Sequence, residues 1–140
     1  MKKLIIFVLF ASLLASCNKK DKTCNQDAAG VSGTYKITAV TYKATAGSAE
    51  QDYYSFLFPD ACERDDLWIF SSNGTYVFSD AGVKCVPPGD DNGTWSINGN
   101  TIILDGDPAT VQSFNCSALV VVVTDFNNVG DQIKITFARQ

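Results

Sequence analysis

The chain has 140 residues, a formal net charge of −4 at pH 7 and no histidine. Without histidine, a Ser-His-Asp or Cys-His catalytic arrangement is impossible. The acidic balance argues against nucleic-acid binding, which depends on clustered lysine and arginine. The length suits one small domain with a single hydrophobic core, so we predict one domain and no nucleic-acid partner.

The N-terminal residues predict export and a lipid anchor. Two lysines precede an apolar run at residues 4–14, which is shorter than the roughly 20 residues that span a bilayer. This pattern, with small residues before a cleavage site, is typical of a secretory signal peptide. The Leu-Ala-Ser-Cys sequence at residues 14–17 resembles a bacterial lipobox, which implies cleavage before Cys17 and acylation of its sulfur. We expect residues 1–16 to be a lipoprotein signal peptide; the alternative is an ordinary signal peptide that ends near a cysteine.

Residues 17–31 are polar, small and poor in apolar side chains, and they predict a lipidated flexible tether before a domain at residues 32–140. Three lysines in this tether favour an anionic membrane surface beside the lipid. Asn18 stands where an aspartate would resemble an inner-membrane retention signal. We therefore expect anchoring in the outer membrane through palmitate-type chains, with the periplasmic and surface faces as open alternatives.

Four cysteines follow the anchor, and an even number in an exported chain predicts two disulfides. Because Cys62 and Cys85 flank a predicted hairpin, we pair them with each other. The remaining pair, Cys24 with Cys116, would pin the tether to a late strand. No Cys-x-x-Cys spacing occurs and histidine is absent, so zinc is disfavoured. We predict no metal and no cofactor.

Strand patterns begin at residues 33–43, where Tyr35, Ile37 and Ala39 alternate with polar residues and are expected on the buried face. In residues 44–61, small and polar residues lead into an aromatic cluster, for which a short strand, a half-turn of helix and a lid are the alternatives. An Asn-Gly hairpin signal follows the next strand. The further strands are predicted at residues 67–70, 75–78, 94–97, 101–104, 110–115, 119–123 and 133–137.

Eight strands, or nine, joined by short turns in chain order predict an antiparallel up-and-down meander. Such a sheet exposes two edges unless it closes, and closure into a barrel removes both. A two-sheet sandwich is the competing fold and needs longer connections than these hairpins provide. We therefore predict an all-β, eight-stranded up-and-down barrel. Residues 119–123 are apolar at every position, which is typical of a strand that is covered on both faces or self-associates.

Several short motifs then suggest a family. They are Gly33-Thr34-Tyr35, Cys-Glu-Arg-Asp-Asp at 62–66, Phe-x-x-Asn-Gly-Thr-Tyr at 70–76, Cys85, Gly-Thr-Trp at 93–95 and Arg139. With these motifs the chain resembles the lipocalin-like domains of small Bacteroidetes lipoproteins over about residues 33–139. In lipocalins the first strand opens with Gly-x-Trp, and a late arginine packs on the tryptophan to close one end of the barrel. The resemblance implies that Gly33, Tyr35 and Arg139 form this closure, with tyrosine offering a smaller ring for the cation–π contact.

Paired carboxylates are the candidate catalytic or metal-binding groups. The pairs are Asp65 with Asp66, Asp90 with Asp91, and Asp105 with Asp107. Two carboxylates about 5–9 Å apart serve glycoside hydrolysis, and clustered oxygens bind calcium. All three pairs lie at predicted strand ends or in loops, where aspartate is a common turn residue, and the last two lack the spacing of a calcium motif. We therefore predict no catalytic residues, no metal and no enzyme activity.

Aromatic side chains are numerous for so small a domain and bear on whether the barrel holds a ligand. An eight-stranded barrel is just wide enough to be packed solid or to hold one small molecule, and both alternatives stay open. If a cavity exists, residues 53–58 are the expected lid. The candidate ligand-contacting residues are Tyr54, Phe56, Trp68, Tyr76, Phe78 and Trp95.

Together these patterns favour a lipid-anchored barrel that binds a small hydrophobic or amphipathic molecule. A packed barrel without a ligand is one alternative. A protein-binding module, such as an inhibitor of a host or rival hydrolase of the lysozyme type, is another. In that case the acidic domain would steer a basic target towards it at low salt.

Overall fold

The computed structural model describes residues 24–140. The predicted signal peptide, the lipidated Cys17 and the first part of the predicted tether lie outside the described residues. Among the helices of residues 24–140, none is long and apolar enough to cross a membrane.

Nine strands and three short helical segments make up the described chain. The strands are β1 (Gly33–Lys43), β2 (Gln51–Asp52), β3 (Leu67–Phe70), β4 (Thr75–Ser79), β5 (Asp91–Asn98), β6 (Thr101–Leu104), β7 (Asp107–Phe114), β8 (Ala118–Thr124) and β9 (Gln132–Arg139). The helical segments are α1 (Ala28–Val31), α2 (Tyr54–Leu57) and a 3-10 turn (Ala61–Glu63). The bounds of β1, β3 and β6 are those predicted from the alternation of apolar and polar residues.

Antiparallel pairing closes the sheet into a barrel. From β3 to β9 each strand pairs with the next, and β1 pairs with both β3 and β9. The β1–β9 pairing runs from Tyr35 opposite Arg139 to Lys43 opposite Gln132. The predicted eight-stranded up-and-down barrel is therefore confirmed, and the two-sheet sandwich is excluded. The short β2 pairs with the far end of β1, at Thr41 and Tyr42.

A β-bulge in β1 changes which side chains face the interior. Its pairing with β9 runs in register as far as Ile37, then skips Thr38 and resumes at Ala39. One extra residue in a strand reverses the faces of the residues that follow it. Val40 is therefore buried. Ala39, which the alternation placed on the buried face, is exposed.

The two ends of the barrel differ. We call one the closed end; it consists of α1 and the turns at residues 71–74, 98–100 and 115–117. We call the other the open end; it consists of residues 44–66, the loop at 80–90, the turn at 105–106 and the loop at 125–131.

Residues 24–31 fold onto the closed end, although their composition is that of a tether. The Asp27 side chain caps α1 by accepting a hydrogen bond from the Gly30 backbone N–H at 2.8 Å. Val31 is fully buried. The folded domain therefore begins before residue 32, because the barrel end buries Val31 and Arg139 donates a hydrogen bond to the Gly30 carbonyl.

The part of the chain that the structure describes contains two disulfides, in the pairing predicted from the sequence. Cys24–Cys116 joins the segment before α1 to the β7–β8 turn at the closed end, with the Cα atoms 5.4 Å apart. Cys62–Cys85 joins the 3-10 turn to the 80–90 loop at the open end, with the Cα atoms 5.3 Å apart.

The apolar run in β8 divides between two faces. Leu119 and Val121 are buried in the barrel core, whereas Val120 and Val122 are partly exposed. Val122 and Glu50, from the segment before β2, line the same shallow pocket. Glu50 of the 44–61 segment therefore lies near the outer face of this strand.

Candidate ligand-binding site

The barrel contains a cavity of about 160 Å³ towards its open end. Its lining residues are Ile37, Trp68, Phe70, Ile102, Leu104, Asp107, Pro108, Ala109, Leu119, Val121, Val123, Ile135 and Phe137. It adjoins a wider depression at the mouth, which is lined by Asp107, Pro108, Val123, Thr124, Asp125 and Phe126. The cavity is therefore apolar on every side except at Asp107, which lies where the cavity meets the mouth.

The cavity exists because large and small side chains face each other across the barrel. On one side Trp68 and Phe70 contact Phe137, with ring centroids 6.0 and 6.2 Å apart. On the opposite strand, β7, the residues that line the cavity are Asp107, Pro108 and the small Ala109. Alanine is too small to reach the aromatic wall, so the interior is not packed solid.

Three of the predicted ligand-contacting residues lie at or beside the cavity. Trp68 lines it directly. Tyr54 and Phe78 line a second, much smaller space of about 10 Å³, next to α2. Because Ile37 and Trp68 line both spaces, they form the wall between them. The 53–58 segment therefore covers the barrel beside the cavity rather than at the mouth that Asp107 borders.

The other three predicted residues lie away from the cavity lining. Phe56 is 72% exposed. Trp95 is buried towards the closed end, and its Nε1 donates to the Ser71 carbonyl at 2.9 Å. Tyr76 is buried, and its hydroxyl donates to the Asp105 carboxylate at 2.5 Å. Tyr76 and Trp95 thus belong to the packed core and do not line the cavity.

Most of the lining was missed by reasoning that concentrated on aromatic residues. The usable signal was the alternation within the later strands, which turns every second aliphatic residue inward. The inward residues identified this way are Ile102, Leu104, Leu119, Val121, Val123, Ile135 and Phe137.

At the closed end, Arg139 lies against Tyr35 and links it to α1. Its Nη2 donates to the Tyr35 hydroxyl and to the Gly30 carbonyl, both at 2.6 Å. The guanidinium carbon is 5.1 Å from the centre of the Tyr35 ring. The Tyr35 hydroxyl donates to the Val31 carbonyl at 2.7 Å. A Cβ at Gly33 would lie 3.2 Å from the guanidinium carbon, so glycine leaves the room that the arginine needs.

The comparison with known families agrees with this architecture. A family model described as "Lipocalin-like domain" matches residues 31–128, which is more than half of the chain. The chain belongs to the lipocalin-like domain family. No curated protein matches it significantly. The placement among small Bacteroidetes lipoproteins stays a prediction.

In this lipocalin-like domain, one carboxylate fixes the turn that leads into β7 and the mouth. Asp105 accepts the Tyr76 hydroxyl and the Thr94 backbone N–H, the latter at 2.7 Å. A Cβ at Gly93 would collide with this carboxylate. Burial, together with the hydrogen bond to Asp105, raises the pKa of Tyr76 to about 12. The same hydrogen bond lowers the pKa of Asp105.

A second carboxylate organises the loop at 125–131, on the other side of the mouth. Asp131 is fully buried and accepts the Tyr42 hydroxyl and the Asn128 backbone N–H, both at 2.9 Å. Burial by itself would raise the pKa of Asp131. The hydrogen bonds from Tyr42 and the loop N–H groups outweigh it and hold that pKa below its usual value. Asp131 therefore fixes the 125–131 loop against Tyr42 of β1.

A third carboxylate organises the 80–90 loop. Asp80 is fully buried and accepts the backbone N–H groups of Cys85 at 3.1 Å and Gly89 at 3.3 Å. The Asp90 carboxylate in turn accepts the Asp80 backbone N–H at 2.9 Å. The Cys62–Cys85 disulfide closes the same loop.

Other members of the predicted carboxylate pairs also bond to loop backbone. Asp65 accepts the Val83 N–H at 2.8 Å, and Asp66 accepts the Ala81 N–H at 3.0 Å. Burial raises the pKa of Asp66 despite that hydrogen bond. In the part of the chain that the structure describes, no group of three or more Cys, Asp or Glu side chains is placed to hold a metal ion.

Proposed function

We propose that the protein binds a small apolar or amphipathic molecule in the barrel cavity. The observation that supports this most directly is the cavity itself, about 160 Å³ in volume and apolar except at Asp107. The walls of an empty apolar cavity lack packing partners. Such a cavity of about 150 Å³ stays dry and binds benzene in another protein.

The cavity volume limits the size of the buried part of the ligand. Pockets for drug-sized molecules measure about 300–1,000 Å³, and this cavity is about 160 Å³. The interior therefore suits one aromatic ring or a short acyl chain. Any larger or polar part of the ligand would lie in the depression at the mouth.

The affinity of the buried part follows from its apolar content. About six carbon atoms at about 0.8 kcal/mol each contribute roughly 5 kcal/mol. This free energy corresponds to a Kd of a few tenths of a millimolar. Binding should therefore be measured with millimolar ligand, and a physiological ligand that binds more tightly would also use the mouth.

The test is calorimetric titration of the protein with 2-phenylethanol, with Ala109→Leu as the blocking variant. Ala109 lines the cavity and is 8% exposed. The three added carbons enter the empty volume, so we expect binding to weaken at least tenfold. Stability should stay the same or rise by up to about 2 kcal/mol, because the new atoms are buried in a void.

The matched control is Ala39→Leu, which makes the same change at an exposed position of β1. It should leave the affinity for 2-phenylethanol unchanged. Absence of saturable binding to the unmodified protein would contradict the proposal. So would equal binding by the folded Ala109→Leu variant.

We also propose that a lipid on Cys17 anchors the protein in the outer membrane. The lipobox-like sequence supports this, and the disulfide at Cys24 adds a geometric consequence. Residues 17–23 span at most about 25 Å, and Cys24 is bonded to Cys116 at the closed end. The mouth would then point away from the membrane. Palmitate labelling should be lost in Cys17→Ser; labelling that survives would contradict the anchor.

Protein binding through the 80–90 loop is the second candidate function. The disulfide, the buried Asp80 and the neighbouring aspartates hold this loop in one shape, while Val83 is 64% and Val86 is 96% exposed. A preorganised loop loses less conformational entropy when a partner binds. If this function holds, the protein should inhibit a lysozyme-type hydrolase at micromolar concentration. Val86→Ser should weaken that inhibition, whereas unchanged hydrolase activity would remove this candidate.

A further inference from the structure

Asp107 lies where the apolar cavity meets the depression at the mouth. It is the first residue of β7 and lines both the cavity and the depression at the mouth. It is the one ionisable residue among those that line the cavity. Within residues 24–140 its carboxylate makes no hydrogen bond or ion pair, unlike Asp105, Asp80 and Asp131, whose carboxylates hold the turn and the loops at the open end. Its charge is therefore free to meet a ligand.

The surroundings of Asp107 favour positive charge. The depression also contains Asp125 and the ring of Phe126, which is 39% exposed. No lysine or arginine of the described chain lines the cavity or the depression. An ammonium group has three donors for carboxylate oxygens, and an aromatic ring within about 6 Å attracts a cation through its face.

We propose that Asp107 selects ligands with an amine head group, so that the protein binds small apolar amines. The apolar part fills the cavity and the ammonium lies at the mouth beside Asp107 and Phe126. This inference rests on the proposed function, because it concerns the same cavity. A bare metal ion fits less well, since no metal-binding group of side chains is present among the described residues.

The exposure of Asp107 limits the size of the effect. Ion pairs exposed to solvent contribute up to about 1 kcal/mol, which is about fivefold in affinity. An amine should therefore bind about fivefold more tightly than the equivalent alcohol. A carboxylate should be repelled, so that the amine binds at least tenfold more tightly than the equivalent acid. Both preferences for the amine should weaken as the salt concentration is raised, because exposed charges are screened.

The experiment compares three probes that share one aromatic ring: 2-phenylethylamine, 2-phenylethanol and phenylacetate. Calorimetric titrations are made at low and high salt with the unmodified protein, with Asp107→Asn and with Asp91→Asn. Asp91 is a matched control, because it is an exposed carboxylate near the open end that lines neither space. Among the described residues its side chain bonds only to the neighbouring Asn92 N–H.

We expect Asp107→Asn to weaken amine binding about fivefold while 2-phenylethanol binding changes less than twofold. Asp91→Asn should leave all three affinities unchanged. Equal binding of the amine and the alcohol, or an Asp107→Asn variant that keeps the amine preference, would overturn this inference and leave the proposed cavity function standing. If none of the three probes binds, both proposals fail.

Discussion

Replacing Arg139 with methionine should destabilise the barrel by releasing its closed end from α1. The guanidinium donates to the Gly30 carbonyl and to the Tyr35 hydroxyl, both at 2.6 Å, and lies 5.1 Å from the Tyr35 ring centre. Methionine keeps much of the apolar stem but none of the donors. The Tyr35 hydroxyl keeps its bond to the Val31 carbonyl, so the lost bonds are those made by the arginine.

The magnitude follows from these contacts. Of the four hydrogen bonds that the guanidinium donates, the two shortest contribute about 1.5 kcal/mol each, at the lower end of the usual range for a charged donor. The cation–π contact adds about 0.5–1 kcal/mol. Partial compensation by the methionine stem leaves a loss of about 3 kcal/mol in the free energy of unfolding. In urea denaturation this loss lowers the midpoint by about 1–3 M, if the free energy of unfolding depends on urea concentration with a typical slope.

Arg64→Met is the matched control for this substitution. Within residues 24–140, Arg64 donates only to the nearby carbonyls of Phe58 at 2.8 Å and Pro59 at 3.0 Å. These contacts are local in sequence, so we expect a loss of about 1 kcal/mol, the value of a typical intramolecular hydrogen bond. The reasoning is refuted if Arg139→Met costs less than about 0.5 kcal/mol or no more than Arg64→Met.

Three other predictions concern groups that hold the barrel and its loops. The pKa of Tyr76 is raised to about 12 in the folded protein, from about 10 in the unfolded chain. The stabilisation that accompanies this shift is therefore complete below pH 10 and is lost between pH 10 and 12. Between pH 10 and 12 the free energy of unfolding should therefore fall by about 2–3 kcal/mol less in Tyr76→Phe than in the unmodified protein. Parallel pH profiles of the two proteins in urea denaturation would contradict this. Replacing both Cys62 and Cys85 with alanine removes a disulfide with a sequence separation of 23 and should cost about 3 kcal/mol; an unchanged melting temperature would oppose this prediction. Asp80→Asn leaves one oxygen for the backbone N–H groups of the 80–90 loop, and faster hydrogen exchange at Cys85 is the expected result, with unchanged protection as the opposing one.

The strands and the closure of the barrel could be predicted because they depend on short-range patterns. The alternation at β1 and the Asn-Gly turn after β3 are local signals, and short turns leave few ways to arrange consecutive antiparallel strands. The bulge at Thr38 was not visible, because an extra residue in a strand is decided by the pairing with β9. The fold of residues 24–31 was also missed, since the barrel end rather than the segment's own composition supplies the burial of Val31.

The candidate site was harder to predict, because a cavity is the volume that neighbouring side chains leave unfilled. Trp68, one of the predicted ligand-contacting residues, does line the cavity, but Ala109 matters as much because it is small. Tyr76 and Trp95 have the apolar area expected of wall residues, yet each has a polar atom bonded elsewhere. Those partners come from distant strands and turns, so no local pattern shows which aromatic residue remains free to face a ligand.

The central claim, that a small apolar molecule enters the barrel, is tested most directly by methyl NMR during a titration with benzene. The protein is labelled at the methyl groups of isoleucine, leucine and valine. We expect saturable shifts at Ile102, Leu119 and Val121, which line the cavity, and none at Val86 and Val129, which are both 96% exposed. Shifts confined to the exposed valines, or no shifts at the interior methyl groups, would contradict the claim.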